Sequence, residues 1–298
     1  MYRTIPFMED LALQFVSGLL KAMFLFLLAS GLSLIFGVSR VLNITHGAFY
    51  ALGAYLLLTA SRAGALGIGG FAATVIAAGL VIGALGAVFE VVILRRVYRA
   101  GMLFVALVTF GAILLIEEAV KIVWTAELLA VPRPAGLDGG IAFGSHRLPL
   151  YDLMLLVVGV TIALGLWFVV ERTRFGLLIR AAAIDREMLA VLGVDVPRLY
   201  TLTFAGGTCI AAIAGALAAP MVSLTPTMGS QILIELFAVV VIGGLGSLPG
   251  SFIGALIVGE FEAFGMLVSP ELAMPMLYLI MAVILIIRPT GILGVPDK

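Results

Sequence analysis

The residues able to do chemistry in this chain of 298 residues are few, and one short block holds many of them. Residues 171–200 carry Arg172, Arg174, Arg180, Arg186 and Arg198, with Asp185 and Glu187 among them. Such charges are expensive in hydrocarbon, roughly 2.5–3.5 kcal/mol each at a helix centre, so this block belongs outside the bilayer. Within it, Arg180 to Leu192 has helical spacing and places Ile184, Met188, Leu189 and Leu192 on one face. Thr173 stands where an N-cap would, Gly193 where a helix stops, and Pro197 just beyond. The pattern predicts a short amphipathic helix at the membrane surface. It either rests among the headgroups or is gripped by another protein.

A second group is Asn43-Ile44-Thr45-His46-Gly47, which interrupts an apolar run. Asn, Thr, His and Gly let a chain turn at membrane depth while satisfying its own backbone. His46 is either a proton or metal group or, without ligand partners beside it, a structural hydrogen-bonding residue. A third group is ionisable and lies inside apolar segments: Lys21, Glu117, Glu118, Lys121, Glu235, Glu260 and Glu262. Glu117 and Lys121 have the favourable four-residue order of a helical ion pair. Glu235 and Glu260 have no cationic partner at helical spacing; they line a translocation path or bond neighbouring backbone. Lys21 has no partner legible in the sequence.

What is missing narrows the chemistry. The three lysines are Lys21, Lys121 and Lys298, and no G-x-x-x-x-G-K-[ST] loop occurs, so ATP phosphates have no such cradle. There is no H-E-x-x-H and no nucleophile paired with a base. A single cysteine, Cys209, excludes an intrachain disulfide and a cysteine metal cluster. The expectation is a transport subunit rather than an enzyme, with no catalytic residue, no metal, no cofactor of its own and no nucleic-acid partner.

The elements that must position these groups follow from composition. The chain is 63% hydrophobic and 11% charged, with mean hydropathy +1.24. Soluble domains carry about 25% charged residues, so the lipid bilayer must be the solvent here. Backbone in lipid must pair with itself, which predicts an all-α polytopic transmembrane bundle of about 8–10 membrane segments. They are read at 11–38, 46–60, 69–94, 103–125, 151–170, 201–221, 231–245, 250–268 and 274–288. Segments 46–60 and 231–245 are short against the roughly 20 residues of a full span, so they are expected to be half-helices or re-entrant pieces. Residues 1–298 are read as one membrane domain. Arg3, Glu9 and Asp10 make a poor secretory signal, so the N-terminal segment is expected to remain in the mature chain.

Nine crossings put Arg40, Arg95, Arg96, Arg99, the 171–200 arginines, Arg288 and Lys298 on one side, against Arg62, Arg133 and Arg147 on the other. The positive-inside rule makes the first side cytoplasmic, with the N-terminus outside and the C-terminus inside. Loop 126–150 is then extracytoplasmic, flanked by Trp124 and Tyr151 as interfacial belt residues. Gly79 and Gly83, and Gly246, Gly250 and Gly254, recur at helix-packing spacing. The second set is either ordinary packing or, with Pro249, a hinge over Gly243–Gly250.

Three stretches resemble the permease subunit of the branched-chain amino acid ABC importers, the LivH type. The first runs from Gly31 to Gly37 (Gly-Leu-Ser-Leu-Ile-Phe-Gly) through Asn43, His46, Gly47, Gly53, Ala54 and Tyr55. The second is Arg180, Ala181, Asp185, Ala190, Leu192, Gly193 and Val194, then Phe204, Ala214 and Gly215. The third runs from Val240 to Ser247 with Gly243, Gly244 and Gly246, then Pro249, Gly250, Gly254, Gly259 and Glu260. Lys21 and the long lead before the first span depart from the family pattern, so the start of the first helix is the part the resemblance does not fix.

The resemblance implies a bacterial inner-membrane protein working with four partners. These are a homologous second permease subunit, two cytoplasmic ATPase subunits that bind the ATP, and a periplasmic solute-binding protein. It also implies that Arg180–Gly193 is the coupling element, with Arg180, Asp185, Arg186, Leu189, Leu192 and Gly193 as its residues. Asn43, His46, Gly47, Glu235, Gly243, Gly244, Gly246 and Glu260 are nominated for the path or its helix breaks. Two alternatives stay open at this point. One is an ion-coupled secondary transporter working through Glu235 and Glu260; the other is an ABC permease for urea, amides or sugars.

Overall fold

The computed structural model describes residues 4–143 and 146–294; Arg3 and Lys298 lie outside them. The helices are α1 (Thr4–Ser39), α2 (His46–Arg62), α3 (Ile68–Phe89), α4 (Arg95–Val97), α5 (Met102–Trp124), α6 (Leu150–Arg172), α7 (Arg174–Ile184), α8 (Arg186–Val191), α9 (Val196–Ala218), α10 (Met228–Gly243), α11 (Leu248–Val268) and α12 (Pro270–Ile287). A π-helical turn (Glu90–Leu94) joins α3 to α4. Each of the nine expected segments is occupied by a helix. Six helices are long and apolar enough to cross a membrane; Met228–Gly243 and Pro275–Ile287 are shorter apolar helices, and α2 has 17 residues. Within loop 126–150 lies a small antiparallel hairpin, β1 (Gly140–Phe143) and β2 (His146–Pro149), the one departure from helix among the described elements.

The short helices are short because they begin inside the protein. Past Ser39 the chain turns at Arg40, whose φ of 54° lies in the left-handed region. Asn43 Oδ1 then accepts the Thr45 N–H at 3.1 Å, an Asx turn that satisfies one exposed donor. The Thr45 hydroxyl donates to the Thr109 carbonyl of α5 at 2.9 Å. His46 Nε2 donates to the Leu28 carbonyl of α1 at 3.1 Å. Leu28 precedes Ser39 by eleven positions, so α2 starts about 16 Å up the side of α1. There Gly47 meets Gly229, in the first turn of α10. A Cβ on Gly229 would sit 2.6 Å from the Gly47 carbonyl, and one on Gly47 would strike the Gly229 carbonyl. The N-termini of two half-helices therefore abut in the interior.

This reciprocity extends outward. α1 and α9 cross at Gly31 and Gly207, where a Cβ on either would lie 2.5 or 2.7 Å from the other's carbonyl oxygen. α3 packs on α9 through Gly79, Gly83 and Gly86, against Ile213, Cys209 and Thr208. α11 packs on α1 through Gly259, against Gly18 and Ala22. Val38 near the end of α1 and Leu199 near the start of α9 share one hydrophobic cluster, so these two helices run in opposite senses. The triplets α1–α2–α3 and α9–α10–α11 thus exchange equivalent contacts in inverted order, an arrangement found in many membrane transporters. Gly243 and Gly250 also touch backbone to backbone, and Gly244 and Gly246 (φ 109° and 79°) make the turn between α10 and α11. That turn is packed by Leu293, whose N–H donates to the Gly243 carbonyl at 2.9 Å.

The ends of the bundle sort the charges. Arg40 donates to the Ala183 carbonyl at 2.9 Å, Arg95 to Thr201 at 2.6 Å, and Gly37 lies against Gly246. Those contacts bring α7, α8, the α3–α5 connection and the C-terminal residues to one end. At the other, Ala135 donates to the Leu66 carbonyl, and Leu129 and Leu224 exchange backbone hydrogen bonds. Trp124 is at this end too, with Nε1 donating to Thr59 at 2.8 Å. Tyr151, expected at the membrane interface with it, is instead fully buried and donates to the Leu217 carbonyl at 2.6 Å. Its hydroxyl finds an acceptor inside the bundle, so the ring has no need of the interface.

The Gly47–Gly229 contact yields a prediction. Gly47→Ala is expected to destabilise the protein by about 1–3 kcal/mol, the usual range for overpacking. Gly165→Ala, where a Cβ meets nothing within 4 Å, is expected to leave thermal unfolding in detergent unchanged or slightly raised.

Candidate functional site

Three places bring the nominated residues together. The first is the arginine-rich end. The expected single helix over Arg180–Leu192 is in fact two, broken at Asp185 (φ −150°, ψ 98°). The Asp185 carboxylate accepts the N–H groups of Glu187 and Met188 at 3.0 and 2.9 Å and so starts α8 afresh. A side chain that caps so well competes with helix continuation, which is why periodicity alone misread it. Thr173 caps α7 as expected, accepting the Gly176 N–H at 3.2 Å. Gly193, at φ 84°, ends α8 in a left-handed turn. Arg180 ties α7 back to α6 through the Val170 carbonyl and Glu171.

The break also divides the expected apolar face. Leu189 is only 6% exposed and packs with Val38, Ile179 and Leu199. Ile184 and Leu192 are 87% and 72% exposed, and Met188 and Val191 also face outward. α8 is thus anchored by Leu189 and presents an apolar group to the exterior, beside the exposed Arg186 and Glu187.

The second place is the junction of half-helices. Asn43, His46 and Gly47 of the α2 start are fully buried or nearly so. Asn43 Nδ2 and His46 Nδ1 have no hydrogen-bond partner among the described residues. Gly243, Gly244 and Gly246 are not at this junction; they form the turn at the arginine-rich end. Nor does the junction include Glu235 or Glu260.

The third place answers the question of Lys21. Its Nζ lies 2.8 Å from Glu235 Oε2 of α10 and 3.2 Å from Glu262 Oε1 of α11. Lys21 is 18 positions before Ser39, Glu262 is 14 after Leu248 and Glu235 is 8 before Gly243, so the trio sits roughly 12–27 Å along its helices from the arginine-rich end. Side chains remain 30%, 12% and 20% exposed on the protomer face, with two carboxylates to one ammonium. Glu260, on the same helix as Glu262, points at Gly18, and neither of its oxygens has a hydrogen-bond partner among the described residues. Nearby, the Ser230 hydroxyl donates to Glu117, which is buried. This corrects the expected Glu117–Lys121 pair: Lys121 pairs instead with Glu118 at 2.6 Å, one position closer and exposed.

Sequence reasoning missed Glu90 altogether. Its side chain is 1% exposed, and it accepts from Arg95 at 3.2 Å and from Thr201 of α9 at 2.7 Å. A lone glutamate before two arginines resembles a helix end on the page; only the π-helical turn buries it.

The chain matches, over residues 14–287, the family described as the permease component of branched-chain amino acid transport systems. It belongs to that family. BraD of Pseudomonas aeruginosa, a high-affinity branched-chain amino acid transport system permease protein, is 29% identical over 95% of this chain and 96% of its own length. LivH of Escherichia coli, of the same description, is 28% identical over 91% of each. The fructose import permease protein FrcC of Rhizobium meliloti is 38% identical over 36% of this chain and 32% of its own. No solved structure matches the chain. The permease is therefore a multi-pass membrane transport subunit and not itself an enzyme. As one component of a system, it departs from the carrier acting alone that Glu235 and Glu260 had left open.

The Lys21 trio predicts non-additive stabilities. In a double-mutant cycle of Lys21→Met and Glu235→Gln, the double variant is expected to be more stable than the sum of the singles by about 1–2 kcal/mol, measured by unfolding in detergent. Removing Lys21 alone leaves two carboxylates facing each other, so it should be the costlier single change.

Proposed function

We propose that this permease, paired with a homologous second permease subunit, forms the translocation path of an ATP-driven importer for branched-chain amino acids. Two cytoplasmic ATPase subunits bind the ATP and dock on α7–α8, and a periplasmic solute-binding protein delivers substrate at the opposite end. The arginine-rich end is cytoplasmic by the positive-inside rule, which puts the N-terminus outside and the C-terminus inside a bacterial inner membrane. The permease brings no cofactor of its own.

One observation carries the reading. Ile184 at the end of α7 and Met188, Val191 and Leu192 along α8 stand exposed on a basic surface beyond the spans, while Leu189 of α8 is anchored inward. An apolar group presented outside lipid, on a rigid mount, suits a protein partner. Arg186 and Leu192 are then contact residues, and Asp185, Arg180 and Gly193 fix the attitude of α8. ATP-driven closure of the ATPases bears on this surface, and the bundle exchanges outward- and inward-facing states by differential binding.

Asn43, His46 and Gly47 place two half-helix N-termini at mid-depth beside the path, where their partial positive charge suits a substrate carboxylate. Glu235, with Lys21 and Glu262, and Glu260 line it as well, because partly exposed charges within spans are costly against lipid. Urea, short amides or sugars are the alternative cargoes, since substrate choice rests mainly with the binding protein.

Two outcomes are expected. In the importer reconstituted with its ATPase and binding-protein partners, Met188→Asp/Leu192→Asp should cut uptake at least tenfold while the permease's own unfolding temperature stays put. Wild-type uptake by that variant would place the docking surface elsewhere. Leu189→Ala, by contrast, should lower stability by about 2–3 kcal/mol, as for a buried leucine. In intact cells with Cys209→Ala, a Glu187→Cys thiol should react with an impermeant maleimide only after the cytoplasmic side is opened; labelling from outside would invert the topology.

A further inference from the structure

Glu90 is a buried carboxylate in a place where the sequence gives no reason for one. It opens the π-helical turn Glu90–Leu94, in which the Arg95 N–H donates back to the Glu90 carbonyl five positions earlier. In a regular α-helix, residues five apart point about 140° away from each other. The π-helical turn instead stacks Arg95 on Glu90, so the guanidinium reaches the carboxylate at 3.2 Å. The same guanidinium donates to Thr201 Oγ1 at 2.6 Å and to the Pro197 carbonyl at 3.4 Å. Thr201 in turn donates to Glu90 at 2.7 Å. Two steps along, the rings of Tyr98 and Tyr200 meet edge to face at 5.9 Å. The inner end of α3 is thereby locked to the first two turns of α9 by a closed three-membered polar network and an aromatic pair. Unwinding by one residue costs regular hydrogen bonding, and such turns concentrate at functional sites.

Those first turns of α9 are where α8 delivers its movement. Gly193 and Asp195 are all that separate α8 from α9 apart from Leu192 and Val194, and Leu189 of α8 packs on Leu199 of α9. We propose that Glu90 is a positioning residue for coupled transport: it obliges α3 to follow α9 when the ATPases bear on α8. Without it, α9 turns alone and the outer contacts of Gly79 and Gly83 with α9 slip instead of carrying α3 along. This rests on the assignment of α8 as the docking helix.

The test uses the complete importer in proteoliposomes, with uptake and ATP hydrolysis measured on the same vesicles. Glu90→Gln removes the charge that holds Arg95. Thr201→Val leaves the Glu90–Arg95 pair whole and removes its hydroxyl bridge to α9, leaving only the long Arg95 contact with the Pro197 carbonyl. Both variants are expected to lower uptake at least tenfold while hydrolysis stays within twofold of wild type, so that substrate moved per ATP falls. If uptake and hydrolysis decline together with the amount of assembled complex in both variants, the network is only structural and the proposal is overturned. If Glu90→Gln alone fails to assemble, Thr201→Val decides. An unchanged ratio in assembled variants also overturns it, with lost uptake in Met188→Asp/Leu192→Asp showing that the coupling surface itself stands. Wild-type uptake by Met188→Asp/Leu192→Asp would instead overturn the docking assignment.

Discussion

In hydrocarbon no water is present to satisfy a peptide group, and every interruption of a helix must therefore be repaired by the protein itself. This permease contains two deep interruptions, before α2 and before α10, and their repair dictates much of the remaining structure. Asn43, Thr45 and His46 supply side-chain partners for the turn, drawing on carbonyls of α1 and α5. Gly47 and Gly229 let the two helix starts close on each other without a side chain between. Enclosing those repairs takes α1 and α9, which cross at Gly31 and Gly207 only because neither carries a Cβ. Broken helices, small residues at crossings and a fully buried histidine are thus consequences of a single requirement.

Charge is handled by the same logic, with different results in two places. Lys21, Glu235 and Glu262 come from three helices and remain partly exposed, so their pairing does not remove them from contact with whatever covers that face. Glu90 and Arg95 are neighbours in sequence, and the carboxylate is sealed between α3 and α9. Desolvation of a carboxylate is repaid only by close, charge-assisted hydrogen bonds, and the π-helical turn is the backbone distortion that provides them. The first arrangement suits a surface that meets water or a partner, the second a joint between helices.

Much of this was legible beforehand, for identifiable reasons. Helix number and approximate limits follow from apolar run length, because lipid imposes a minimum. The polar interruption at Asn43–Gly47, the stop at Gly193 and the cap at Thr173 follow from local backbone chemistry, which travels with the residues concerned. What stayed hidden depended on contacts from elsewhere in the chain. Lys21 found its partners on α10 and α11, from the far half of the sequence. Tyr151 reads as an interfacial ring until Leu217 supplies an acceptor in the interior. Lys121 pairs with Glu118, while the buried Glu117 is met by Ser230 of α10, from the far half of the sequence. Periodicity misjudged α7 and α8 for a subtler reason: Ile184 and Met188 keep helical spacing across Asp185, yet the cap between them tilts the two pieces apart. The exchange of contacts between the two triplets leaves no repeated motif, since packing needs small residues at crossings and not a shared sequence.

An inverted pair of triplets has a mechanical consequence. Because α3 lies on α9 and α11 lies on α1, each half is gripped by the long helix of the other, and neither can tilt as an isolated unit. The half-helices α2 and α10 sit at the crossing, where rotation of one triplet against the other changes distances least near the axis and most at the ends. In the proposed importer the movement enters at α8, well off that axis, through a helix held by one buried leucine and followed by a left-handed turn. A small displacement there is applied directly to α9, and the glycine crossings have no side chains to interlock and resist sliding. The same absence of side chains that permits close approach therefore also permits motion, provided polar joints such as Glu90–Arg95–Thr201 decide which helices travel together.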